Sequence, residues 1–160
     1  SNSATTLPFR ISTLVFLRNH EKQILLIKRA KAPNFQKWSP IGGKLDFASG
    51  ESPYECAARE TFEETGLSVS EKHFRLFAYV SEKNYEGSGH WLMFLFDCIA
   101  PLSSLPPNGP EGIFAFFGRE EISSLDNRKM ITFRFGPYTT SAKMDLLLCE
   151  LIALFQLLPK

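Results

Sequence analysis

Residues 42–67, from Gly42-Gly43-Lys44 to Gly66-Leu67, constrain this chain more than any other stretch. Ser52 with Glu55 three places on fits a capping box. Pro53 sits at the first helical position, where its missing N–H costs nothing, and Gly66 is placed to end a helix in a left-handed conformation. The pattern predicts a helix over 52–65, entered from a Gly-rich loop. At about 100° per residue, Glu60 and Glu64 lie about 40° apart around its axis, and Glu63 lies about 60° to the other side of Glu60. Three carboxylates therefore share one face. Tyr54, Ala58, Thr61 and Thr65 fall on a different arc, small or apolar enough to pack on a sheet.

Carboxylates crowded in this way repel one another and raise one another's pKa unless something cationic neutralises them. Hard oxygen donors on a rigid element suit Mg²⁺ or Mn²⁺, which keep several waters and also bind a substrate's phosphates. A solvated acidic face is the plain alternative. The Gly-rich lead-in weighs against it, because backbone N–H groups near a helix N-terminus are suited to holding phosphate. Gly43 and the adjoining Lys44 are placed for that task. Among Lys28, Arg29 and Lys31, which follow the apolar run 24–27, Arg29 is the candidate to offset phosphate charge, a solvated basic end being the alternative.

These residues resemble the Nudix (MutT-like) hydrolases. That family carries a glycine, five residues, Glu, seven residues, Arg-Glu, an apolar and a free position, Glu-Glu, a free position, Gly and an apolar residue. Here Glu51 is followed by seven residues and Arg59-Glu60, with Glu63-Glu64, Gly66 and Leu67 in register. Two departures stand out: seven residues separate Gly43 from Glu51, an enlarged loop expected to reshape the phosphate pocket, and Thr61 takes a usually apolar position.

The resemblance implies an α/β fold, a Nudix-type α/β/α sandwich with a mixed central sheet. It also implies hydrolysis of a nucleoside diphosphate linked to another group. Carried over by position, Glu60, Glu63 and Glu64 would hold divalent metal with the Gly42 carbonyl, and Glu60 or a loop carboxylate would accept the water's proton. Glu111, straight after a proline-rich connector, is the loop candidate. Arg59 would pair with Glu51 and tie loop to helix, a structural role shared with Gly66. A nucleotide binder that does not hydrolyse, and an enzyme processing RNA caps, are the alternatives.

Around the motif, 160 residues with 44% hydrophobic content suffice for one core, so residues 7–160 are expected to form a single domain. Residues 1–6 are read as a disordered segment or expression scar and not as a signal peptide. A net charge of +1 gives no reason to expect nucleic-acid or membrane-surface binding. Cys56, Cys98 and Cys149 lack ligand spacing and read as reduced, packed thiols of a cytoplasmic protein. The runs 9–17 and 24–27 suggest a hairpin, and Trp38 to Ile41 a strand leading into the glycines. Residues 73–80 suggest a strand with Phe74, Leu76, Ala78 and Val80 on one face, and 91–99 a central strand. Residues 101–110 form an irregular connector before a strand 113–117 and a short helical turn at 120–122. From Tyr138 the pattern is helical, and 146–158 is apolar around most of its circumference, which leaves a homodimer contact open and is too short for a membrane span. Strands alternating with these helices suggest a mixed sheet covered on both sides. Phe9, Phe35, Trp38, Tyr85 and Trp91 are candidates to stack a base, each equally a candidate for the core.

Overall fold

The computed structural model describes residues 6–32 and 34–125. The helix expected from Tyr138 and Cys149 lie outside them. Among the described residues seven strands form in chain order: β1 (Phe9–Phe16), β2 (Ile24–Arg29), β3 (Trp38–Ser39), β4 (Ile41–Lys44), β5 (Phe74–Glu82), β6 (His90–Cys98) and β7 (Gly112–Phe117). Helix α1 spans Pro53–Thr65 between β4 and β5, and the short α2 spans Arg119–Ser124.

The strands make two sheets, ordered β4-β1-β6-β5 and β3-β2-β7. β1 runs parallel to β6, with Leu14 opposite Leu95, and antiparallel to β4, so the larger sheet is mixed. The apolar runs 9–17 and 24–27 are strands, but not a hairpin. Apart from an isolated bridge between Arg18 and Ile24, they separate into different sheets. The run 24–27 is buried throughout and 12–17 nearly so, and a strand buried on both faces carries no alternation from which its partner is read.

Odd and even residues of β1 serve two cores. Phe16 packs with Leu26, Met93 and Leu95 on one side, while Val15 and Leu17 pack with Phe96, Ile41 and Ala57 of α1 on the other. Fully burying such side chains stabilises the fold by roughly 2 kcal/mol each. The expected alternation in β5 fails midway, because the β5–β6 register shifts between Leu76 and Ala78. Phe77 thereby turns inward to meet Phe16, with ring centroids 5.5 Å apart, and Leu76 turns outward.

Helix α1 forms as its sequence dictates. The Ser52 hydroxyl accepts from the Glu55 N–H, the Glu55 carboxylate accepts from the Ser52 N–H, and Gly66 closes the helix at φ 75°. Its buried stripe, however, is Cys56, Ala57 and Thr61, and Tyr54 is exposed although it touches Phe96. The helix is rolled, relative to the expected packing arc, so that Glu60 and Glu64 continue the line of Cys56 at four-residue steps. Two of the three carboxylates consequently sit at the margin of the buried face.

Candidate active site

Gly42 and Gly43 do not lie in a loop, as the sequence suggested, but inside β4, where glycine permits two close approaches. A Cβ on Gly42, whose φ is +156°, would stand 1.9 Å from the Thr13 carbonyl oxygen of β1. A Cβ on Gly43 would stand 2.1 Å from Glu60 Oε1. Gly43 faces α1, whereas the φ of Gly42 turns its Cβ position into the backbone of β1, beside Leu14, its partner in register. The Gly42 N–H points toward Glu64 Oε1 at 3.4 Å.

The chain between β4 and α1 is a closed turn. Asp46 N–H donates to Glu51 Oε2 at 2.8 Å, Glu51 N–H returns to the Asp46 carbonyl at 3.1 Å, and Gly50 takes φ 69°. Residues 45–50, which include the enlargement, do not themselves line the cleft described below.

Arg59 organises the face of α1. Its guanidinium grips Glu51 at 2.6 and 2.9 Å, and donates to Glu60 Oε1 at 2.8 Å, Glu63 Oε2 at 3.2 Å and the Lys44 carbonyl at 3.0 Å. The hydrogen bonds from Arg59 hold the Glu51 carboxyl below the usual carboxylate range despite its burial. Burial raises Glu60 in spite of Arg59. Glu64, with no such partner, is pushed up to about 7 by burial first and then by the charge of Glu60, against the Gly42 N–H.

A cleft of about 780 Å³ opens beside these groups. Glu60, Glu63, Glu64, Gly42, Gly43, Lys44, Arg29 and Glu111 all line it, so one surface gathers the candidates from β2, β4, α1 and the start of β7. Arg29 is paired in register with Gly112, and the charges of both Arg29 and Glu111 are felt at Glu64. Glu111 is an exposed member, bound to Lys31 at 3.0 Å. Gly66, the helix stop, lies away from the cleft lining. Of the aromatics, Tyr85 and Trp91 line the cleft, Trp38 packs on Phe117, and Phe9 and Phe35 are exposed.

Sequence reasoning did not single out Ser12, Asn34, Met93 or Asn108, which also line the cleft. Asn34 accepts from the Tyr85 hydroxyl at 2.6 Å, and Asn108 accepts from the Phe114 N–H at 3.0 Å. These residues come from four separate segments, and no local pattern marks them. The thiols behave as expected where described: Cys56 and Cys98 are buried and free, and burial pushes each up to about 11.

Among the described residues no three His, Cys, Asp or Glu side chains converge as a formed metal site, because Arg59 holds Glu60 and Glu63 to itself. The donor chemistry nevertheless fits a hard divalent cation. Glu60 and Glu64 are two partly buried carboxylates that repel across one cleft, and oxygen donors so placed gain most from a cation between them. Among the described residues no helix is long and apolar enough to cross a membrane.

Comparison with known proteins agrees with this geometry. Over 56 residues the chain is 43% identical to a Bacillus subtilis (strain 168) protein provisionally named 8-oxo-dGTP diphosphatase; the match covers 35% of this chain and 34% of that one. The chain thus spans about a third of that relative's length. A MutT protein from Methanosarcina mazei Go1 superposes with a TM-score of 0.72 at 21% identity, covering 94% of this chain and 97% of its own. The NUDIX domain of Shewanella oneidensis NrtR, solved with ADP ribose, superposes with a TM-score of 0.65 at 15% identity, covering 98% of this chain and 94% of its own. These likenesses show the fold, an α/β Nudix sandwich with a mixed sheet. The NUDIX domain family itself matches residues 8–137, which takes in both sheets, α1 and every candidate group in the cleft, and the chain therefore belongs to the Nudix family.

Proposed function

We propose that this protein is a Mg²⁺-dependent pyrophosphohydrolase that cleaves the diphosphate linkage of a nucleoside diphosphate joined to another group, with Mn²⁺ as a substitute. The observation that carries this reading is the Glu60–Glu64 pair, held against Gly42 and Gly43 at the edge of a cleft large enough for a nucleotide. Glu60 and Glu64 would hold the cation with the Gly42 carbonyl, and Glu63 would join them by leaving Arg59. Bound there, the cation supplies charge neutralisation and a more acidic water.

The remaining steps belong to side chains. Arg29 and Lys44 draw the substrate's phosphates onto the strand ends and offset their charge. Glu60 or Glu111 accepts the proton of the attacking water; Glu111 is the more exposed and is drawn off its Lys31 partner to do so. Arg59, fixed to Glu51, positions Glu60 without touching substrate. In this reading residues 7–160 are one cytoplasmic catalytic domain acting on a small nucleotide, and a homodimer is open to test by light scattering. The B. subtilis relative's name puts 8-oxo-dGTP first among substrates to try.

A screen over nucleoside triphosphates, nucleotide sugars and ADP-ribose with Mg²⁺, its nucleoside monophosphate products resolved by chromatography, tests the proposal. Glu64→Gln should lower turnover at least 10³-fold while circular dichroism stays unchanged. Near-normal turnover of Glu64→Gln at saturating Mg²⁺ would falsify the assignment of this face.

A further inference from the structure

Three turns meet at the cleft, and they come from both sheets. Residues 83–89 join β5 to β6 of the larger sheet, residues 30–37 join β2 to β3 of the smaller one, and Gly109–Gly112 leads into β7. Tyr85, Asn34 and Glu111, one from each, line the cleft. The first turn is tied down at several points. Tyr85 N–H donates to the Gly89 carbonyl at 2.8 Å, Asn84 N–H donates to His90 Nδ1 at 3.0 Å, and Arg10 donates to the Ser88 carbonyl at 2.8 Å. Tyr85 is thereby fixed to the larger sheet, and its hydroxyl reaches across to Asn34 Oδ1 at 2.6 Å.

The second turn is closed on itself. Arg29 N–H donates to the Lys37 carbonyl at 3.0 Å, Gln36 N–H to the Arg29 carbonyl at 2.8 Å, and Lys37 N–H to the Asn34 carbonyl at 3.0 Å. Within it Gln36 stands at φ 63°, a left-handed conformation that glutamine seldom adopts and that surrounding contacts have to sustain. Its near end is tied to Glu111: Ala30 N–H donates to the Glu111 carbonyl at 3.0 Å, and Lys31 Nζ lies 3.0 Å from Glu111 Oε1. Gly109 and Gly112 close the third turn around Glu111 with two reciprocal bonds of 3.1 Å. A continuous path of hydrogen bonds therefore runs from Tyr85 on the larger sheet to Glu111 on the smaller one.

We infer that the Tyr85–Asn34 hydrogen bond is a clasp between the two sheets which, through the turn it holds, fixes where Glu111 stands relative to the carboxylates of α1. Tyr85 and Asn34 are then positioning residues that act through Glu111. With the clasp open, the turn loses its tie to the larger sheet, and the bond from Ala30 to Glu111 breaks more often. One neutral hydrogen bond shifts such a local opening about tenfold. The structural coupling stands apart from the proposed hydrolysis; its kinetic consequence rests on that reading and on Glu111 as the group that accepts the water's proton.

Amide hydrogen exchange tests the clasp without any turnover, because the Ala30 N–H reports its bond to Glu111 directly. Tyr85→Phe deletes only the donor and should speed exchange at Ala30 about tenfold, while the amides of α1 keep their rates. Asn34→Asp keeps an acceptor and should preserve the protection. Asn34→Gly removes the acceptor yet tolerates the φ of 61°, and Tyr85→Phe should add nothing in that background. Unaltered exchange at Ala30 in Tyr85→Phe, or faster exchange confined to 83–89, would overturn the clasp. Asn34→Gly set against Asn34→Asp decides the matter should Tyr85→Phe fail to fold. In turnover with Mg²⁺, Tyr85→Phe should lower kcat several-fold with KM little altered, and lower it no further in a Glu111→Gln background. A fall in kcat that persists undiminished in Glu111→Gln would overturn the route through Glu111, since Tyr85 would then act on the substrate itself. Failure of the hydrolase reading looks different: no nucleotide is turned over, while the exchange pattern stands.

Discussion

Replacing Gly43 by alanine should disable the site with little loss of stability, whereas the same change at Gly42 should destabilise the fold strongly. The new Cβ at position 43 meets the Glu60 carboxylate at 2.1 Å, and ordinary contact needs at least 3.4 Å. The carboxylate, at the end of a flexible chain, has to retreat by more than an ångström and loosen its 2.8 Å bond to Arg59. Arg59 is partly exposed, so the loss of stability should be about 1 kcal/mol, or 2–4 °C in Tm for a chain of this size. Misplacing a group that holds the reacting centre by that much costs roughly 10²-fold in turnover. At Gly42 the obstacle is backbone: the Cβ lies 1.9 Å from the Thr13 carbonyl oxygen at a φ of +156°. Overpacking and backbone strain together cost about 4 kcal/mol, and Tm should fall by about 10 °C or more, because β4 must part from β1. Thermal melts with chelator, and nucleoside monophosphate formation by the folded fraction with Mg²⁺, measure both. A Gly43→Ala protein that keeps full activity, or melts as low as Gly42→Ala, would show that Glu60 does not sit where this reasoning places it.

Two further outcomes follow from the electrostatics of α1. Because the Glu64 pKa is raised to about 7 from an ordinary 4.5, the folded metal-free protein holds a proton that the unfolded chain releases. Its contribution to stability is complete below about pH 4.5 and lost as pH rises to about 7, at most about 3 kcal/mol. Denaturation in chelator across that window should show this slope in the wild-type protein and a shallower one in Glu64→Gln; parallel curves would refute it. Arg59→Met should cost about 3 kcal/mol, since it strands Glu51, whose side chain is only 7% exposed, and Arg59→Met/Glu51→Met should recover part of that loss. Urea titrations of both variants check this, and equal stability of single and double variants counts against the pairing.

The helix was legible residue by residue because its signals are local. Ser52, Glu55, Pro53 and Gly66 act within a single helix on backbone groups one turn away, and the structure reproduces the cap and the stop they encode. The spacing of Glu51, Arg59, Glu60, Glu63 and Glu64 is likewise local, and it carried the family. Strand existence was readable from the apolar runs, but strand pairing was not: 9–17 and 24–27 are consecutive and buried, yet they belong to different sheets. Pairing is settled by which edge remains after β6 has taken one side of β1 and β4 the other, and those partners lie about 30 and 80 residues downstream.

By itself, then, the sequence determined which carboxylates stand together and what metal chemistry suits them, since a helix converts spacing directly into direction. Only the tertiary structure decided how far those groups are buried, because burial depends on how α1 is rolled against β1 and β4, a matter of side-chain volumes in another part of the chain. That roll lifts Glu64 toward neutrality, sets Glu60 against Gly43, and leaves Glu63 with Arg59.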